Sequence, residues 1–108
     1  MKLWIDDVRP APGGVADGWF WIADVDTAKE MVEIVEDWAS VGQMTPIELI
    51  DIDHDAGEYA QYGGDYIKLL DWLEETGRNY PIRIHSQNVV GRMNMEAICR
   101  RNGWKIVE

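Results

Sequence analysis

Two histidines and a set of aspartates carry the chemistry that this chain can offer. Asp6 and Asp7 follow the short apolar stretch Lys2 to Ile5, Asp53, His54 and Asp55 end the run IELIDIDHDAG, and His85 and Ser86 end the run PIRIHS. Carboxylates grouped in this way hold a divalent metal such as Mg²⁺, which takes one or two of them and keeps several waters. Imidazoles exchange protons near neutral pH, and a pair suits phosphodiester hydrolysis, one activating water and the other protonating the leaving oxygen. An Asp after a strand is often only a turn former, and a lone His near a core is often structural. Two adjacent Asp beside a third, with both histidines at strand ends, favour a site.

Ser86 and Asn88 can donate hydrogen bonds to a phosphate, and Asn88 can also cap the helix that follows it. The two roles agree, because a helix amino terminus binds anions. Arg9 and Arg92 are the cations nearest these clusters, and Arg meets phosphate bidentately. The competing expectation for both is a salt bridge to neighbouring acids.

The elements that position these residues alternate between strand and helix. Strands are expected at Lys2 to Ile5, Trp19 to Ala23, Ile47 to Asp53, Ile82 to Ser86 and Trp104 to Val107. Between the first two, PAPGGVADG combines Pro with Gly and has no helical period, so a loop replaces a full first helix. Thr27 and Glu30 form a capping box for a helix that ends near Gly42. Asp65 caps a second helix, ending at Gly77, and Asn88 a third, running to about Arg101. The loop His54 to Gly64 carries Tyr59 and Tyr62 and reads either as a lid that stacks on a base or as an ordinary surface loop. Alternating strands and helices imply a parallel sheet. In the flavodoxin-like order 2-1-3-4-5, the strands ending in Asp6/Asp7, Asp53 and His85 are neighbours, and ligands bind outside the carboxyl ends of such strands.

Composition narrows the partners. A chain of 108 residues, 46% hydrophobic, is the size of one domain with a core of its own. Its net charge of −10 argues against an extended nucleic-acid or anionic-membrane surface, so a phosphate must be met by a few placed cations. The single Cys99 leaves no internal disulfide and suits a reducing cytoplasm. No stretch is long and apolar enough to span a bilayer, and the first residues do not read as a signal peptide.

KLWIDDVRPAP, LIDIDHDAG and PIRIHSQNVVGRMNM resemble, in order and spacing, the three signature blocks of the cyclic-phosphate processing receiver domain, a variant of the response-regulator receiver fold. The resemblance implies a single receiver-like α/β domain over residues 1–108, a three-layer sandwich around a mostly parallel sheet of about five strands, with the first helix reduced or absent. It also implies processing of a cyclic phosphate, either the 2′,3′-cyclic end of an RNA or a cyclic nucleotide. Asp6, Asp7 and Arg9 fall in the first block, Asp53, His54 and Asp55 in the second, and His85, Ser86, Asn88, Gly91 and Arg92 in the third. Val89 departs from the pattern, which has Pro after the Asn. On this reading His54 and His85 exchange protons with Asp53 and Asp55 beside them, Ser86, Asn88, Arg92 and Arg9 hold the phosphate, and Asp6, Asp7 and Asp53 bind a metal or orient the imidazoles. Two other readings stay open: a protein that sequesters a nucleotide signal, and a phosphoacceptor receiver modified on Asp53. The latter looks for a Lys at the end of the fifth strand, whereas Lys105 stands near that strand's start.

Overall fold

Four short strands pair in parallel in the computed structural model, which describes residues 1–108. They are β1 (Lys2–Ile5), β2 (Trp19–Ile22), β3 (Leu49–Ile52) and β4 (Ile82–Ile84), in the order β2-β1-β3-β4. The expected fifth strand narrows to one parallel bridge between Ile82 and Ile106, because only the three residues of β4 are there to pair with it. Three helices follow β2, β3 and β4: α1 (Val25–Ser40), α2 (Ile67–Glu75) and α3 (Val89–Asn102). Between β1 and β2 there is a single 3₁₀ turn, Gly14–Asp17, bracketed by Gly13 and Gly18 at φ 79° and 83°. Left-handed backbone at both ends favours glycine and confines the helical segment between them to a single turn.

The register decides the layers. Trp4 lies opposite Trp21 on one side and Asp51 on the other, and Asp51 lies opposite Arg83. Side chains alternate across a strand, so these residues share one face of the sheet. The other face presents Leu3, Ile5, Ile22, Ile50, Ile52, Ile82 and Ile84, which form the main core with Val25, Ala28, Val32 and Val35 of α1, Leu69, Leu70 and Leu73 of α2, and Met95, Ile98 and Cys99 of α3. All three helices therefore pack on one face. Three rightward steps along the sheet, each with a right-handed crossover, put them there. The third layer of the expected sandwich shrinks to the β1–β2 loop, whose Ala11 covers a small cluster of Trp4, Trp19 and Leu49.

Two helix starts differ from the expected ones. The α1 cap is Asp24, whose Oδ2 accepts the Thr27 N–H at 2.8 Å, while the Thr27 hydroxyl donates to its other oxygen. Thr27 thus lies inside the helix rather than at its start, because Asp24 has the extended backbone that a cap requires. Asp65 does not cap α2. Its Oδ1 accepts the Ala56 N–H at 3.0 Å and ties down the loop after β3. Replacing Asp24 by Ala should destabilise the domain by about 1 kcal/mol in urea unfolding, and Glu30→Ala by less than about 0.5 kcal/mol. Equal losses would restore the Thr27 capping box.

Candidate functional site

The carboxyl ends of β1, β3 and β4 lie side by side, and the side chains of Asp6, Asp53 and His85 meet there. Oxygen or nitrogen atoms of the three lie within 4.8 Å of one another. Asp6 is buried, and one of its oxygens accepts the backbone N–H groups of Val8 and Arg9 at 3.0 and 2.8 Å. Its other oxygen faces the His85 Nε2 at 2.8 Å. The second imidazole nitrogen, Nδ1, lies 2.7 Å from Oδ1 of Asp51, a residue buried in the middle of β3. The Asp51 Oδ2 accepts from Nε of Arg83 at 2.6 Å. Beneath the imidazole lies Trp4, parallel to it within 4° and 4.0 Å away between ring centres.

Carboxylates on both sides can both accept when both ring nitrogens carry protons, so the geometry stabilises His85 as an imidazolium. Burial pushes its pKa down, but the hydrogen bonds to Asp51 and Asp6 and their charges outweigh burial, and the net shift is upward. For Asp6, burial pushes the carboxyl up, whereas the N–H groups of Arg9 and Val8 and the bond to His85 bring it below its ordinary value.

His54 has a different environment. Its Nδ1 lies 2.8 Å from Oδ1 of Asp55 and 3.4 Å from Nδ2 of Asn88, while Nε2 has no partner within the protein. In the neutral ring, Asp55 favours the tautomer with the proton on Nδ1, which has its lone pair on Nε2. The ring rests on Gly91 in the first turn of α3, where an added Cβ would fall 2.5 Å from ring carbons. Asn88 caps α3 by accepting the Gly91 N–H at 2.9 Å, and the Ser86 hydroxyl accepts the Asn88 N–H at 3.1 Å. The two imidazoles share no hydrogen-bond partner: His85 leans on the tryptophan face of the sheet and His54 on α3.

The remaining expected residues are spread more widely. Arg92 pairs with Glu96 at 3.0 Å and lines a groove of about 440 Å³ with Arg100, Ile84 and Ile106. Arg9 makes no ion pair, and its backbone does the local work by donating to Asp6 and accepting the Trp4 indole N–H at 2.6 Å. The Asp7 carboxylate lies against Gly57, where an added Cβ would come within 2.6 Å of it. Burial first, then the charges of Asp6 and Asp53, raise its pKa. Tyr66 is fully buried, donating its hydroxyl to the Ala23 carbonyl at 2.7 Å and its N–H to the His54 carbonyl at 3.1 Å. Burial, then the charges of Asp7, Asp6 and Asp53, push its phenol upward.

Asp51, Arg83 and Trp4 were not among the residues expected to belong here. The signal was present in the sequence: one charge inside each of two apolar runs, Asp51 between isoleucines and Arg83 between isoleucines. Opposite charges embedded in neighbouring buried strands need each other. The largest cavity, about 760 Å³, opens at the amino ends of the strands among Met1, Phe20, Pro46 and Ile47, remote from these groups. The carboxyl ends form an open rim instead.

A divalent cation fits this rim by the chemistry of its donors. Asp53 spends one oxygen on the His54 N–H, at 2.8 Å, and Asp7 has its pKa raised by burial first and then by the charges of Asp6 and Asp53. Carboxylates crowded with too little positive charge are what a hard cation relieves.

The family model of the cyclic-phosphate processing receiver domain matches residues 1–101, all three strand ends included. The chain belongs to that family. No curated protein and no solved structure matches it. Membership makes the four-stranded parallel sheet a receiver-like fold and assigns the domain broadly to cyclic-phosphate processing.

Two outcomes follow for stability and geometry. The raised His85 pKa contributes stability that is complete below about pH 6.5, the unfolded value, and is lost as pH rises through the folded one. The lowered Asp6 pKa contributes above about pH 4 and is lost as pH falls through its folded value. Thermal unfolding of the wild type should therefore be highest between those limits. His85→Gln should cost about 3 kcal/mol and flatten the alkaline decline; an unchanged decline would mean that another group causes it. Gly91→Ala should displace the His54 ring, read as a change in the chemical shifts of its ring protons by NMR, while the domain still unfolds cooperatively.

Proposed function

We propose that this domain is a phosphoesterase that opens a cyclic phosphate on the rim formed by β1, β3 and β4. The observation that carries the reading is the contrast between the two histidines: Nε2 of His54 has no partner within the protein, whereas both ring nitrogens of His85 face carboxylates. His54, oriented by Asp55, takes a proton from water through Nε2 as the water attacks phosphorus. A P–O bond of the ring breaks, and the leaving oxygen receives the Nε2 proton that His85 shares with Asp6. The product is a phosphomonoester. Phosphate oxygens are met by the N–H groups at the start of α3, with Ser86 and Asn88 beside them. Arg92, held by Glu96, is a weaker choice for that task. A divalent metal held by Asp6 and Asp53, with Asp7 near, would offset the negative charge that otherwise repels the substrate.

One observation favours a second reading. Both N–H groups of His85 are committed to carboxylates, as in a bridge whose task is to hold the rim together. A rim of that kind can bind a nucleotide signal without turning it over.

Incubation with 2′,3′- and 3′,5′-cyclic nucleotides and with RNA ending in a cyclic phosphate, with Mg²⁺ or EDTA, separates the two. Turnover is expected, with a loss of at least about 100-fold in His54→Ala and in EDTA. Stoichiometric binding with the ligand recovered intact would replace catalysis by sequestration. Turnover that survives both His54→Ala and His85→Ala would remove the histidine mechanism.

A further inference from the structure

Trp21 stands out among the aromatic residues of the sheet. It shares a face with Trp4 and Trp19, which are each 5% exposed, yet it is itself 50% exposed. It is not a loose side chain: its indole N–H donates to the Asp6 carbonyl at 2.7 Å, which fixes the ring beside the end of β1. Asp6 is the residue whose carboxylate holds the His85 imidazolium. One residue thus anchors a half-exposed indole through its backbone and a reacting group through its side chain. The face on which the ring stands carries no helix, so the approach to it is open.

An exposed, fixed indole next to a phosphate-processing rim is a stacking surface, and every nucleobase offers a π-face to such a ring. In a nucleoside cyclic phosphate the base stands one ribose away from the phosphate, the arrangement that a ring beside Asp6 suits. We propose that Trp21 is the platform for the base of a nucleotide substrate, so that the substrate class is a nucleoside cyclic phosphate rather than a cyclic ester without a base. This rests on the phosphate binding at the rim set out above. Tyr59 and Tyr62, the aromatics expected to stack from the loop after β3, are also exposed, but their hydroxyls make no hydrogen bond that would set their rings. Trp21 is a binding residue that acts through specificity. It reads the presence of a base rather than its identity, since stacking tolerates any base.

The test compares adenosine 2′,3′-cyclic phosphate with glycerol 1,2-cyclic phosphate, a five-membered ring ester without a base. In the wild type kcat/KM should favour the nucleotide, and Trp21→Ala should lower that preference roughly 10-fold or more. Trp21→Phe, which keeps a ring but loses the N–H, should retain most of it. Phe20→Ala alters the neighbouring exposed residue on the opposite face and should leave the preference at its wild-type value. A Trp21→Ala protein that melts like the wild type and keeps the full preference overturns the assignment. Calorimetry separates this from the catalytic reading. Intact nucleotide bound more tightly than the glycerol ester, with that difference lost in Trp21→Ala, upholds the platform even where nothing is hydrolysed. Hydrolysis with a preference that ignores Trp21 refutes the platform and leaves the phosphoesterase standing.

Discussion

An imidazolium between two buried carboxylates is the interaction on which this domain depends. Asp6 and Asp51 are each only 1% exposed, and neither would tolerate ionisation there without a cation in contact. His85 reaches both, and Arg83 takes the remaining oxygen of Asp51. The three strands β1, β3 and β4 are thereby joined through side chains at the level where their backbone ladder stops. A buried ion pair seldom adds much net stability, because desolvation offsets the attraction. What it secures is position: the carboxylates, the ring and the strand ends that carry them are fixed relative to one another, and this gives the rim a single geometry for a ligand to meet.

The one-sided arrangement of helices gives that rim its character. Because α1, α2 and α3 all cover the isoleucine face, the other face holds Trp4 and Trp19 under a short loop and leaves polar chemistry near the surface. Trp4 is packed there and supports the His85 ring from below. A fully doubly covered sheet would bury the same charges more deeply. Here the imidazolium is held by carboxylates and still close to solvent, a combination that lets it stay charged without being sealed into the core.

Much of this was readable from residue order. Apolar runs that end abruptly in Asp or His marked the strand ends, and alternation with helical segments implied a parallel sheet in which those ends are neighbours. The loop in place of a first helix followed from PAPGGVADG, and the Asn88 cap from its place before α3. What escaped the reading depended on relations between strands. Asp51 and Arg83 looked like interruptions of apolar runs until the register set them opposite each other. Trp19 is buried although it lies on the edge strand β2, because Trp4 meets it edge-on and Lys2 lies over its ring. Arg92 seemed near the site because sequence distance ignores the direction in which a helix presents its side chains; an i,i+4 partner claims it.

Tyr66 links two connections that otherwise belong to separate crossovers. Its hydroxyl holds the β2–α1 turn at Ala23, and its amide holds the β3–α2 loop at His54, while the Asp26 N–H returns from α1 to the carbonyl of Tyr62. The phenol works as a splint across the gap between them. The β2–α1 turn cannot swing outward without unpairing the buried hydroxyl, nor the β3–α2 loop without unpairing the Tyr66 amide, so one residue ties the motions of the two connections together.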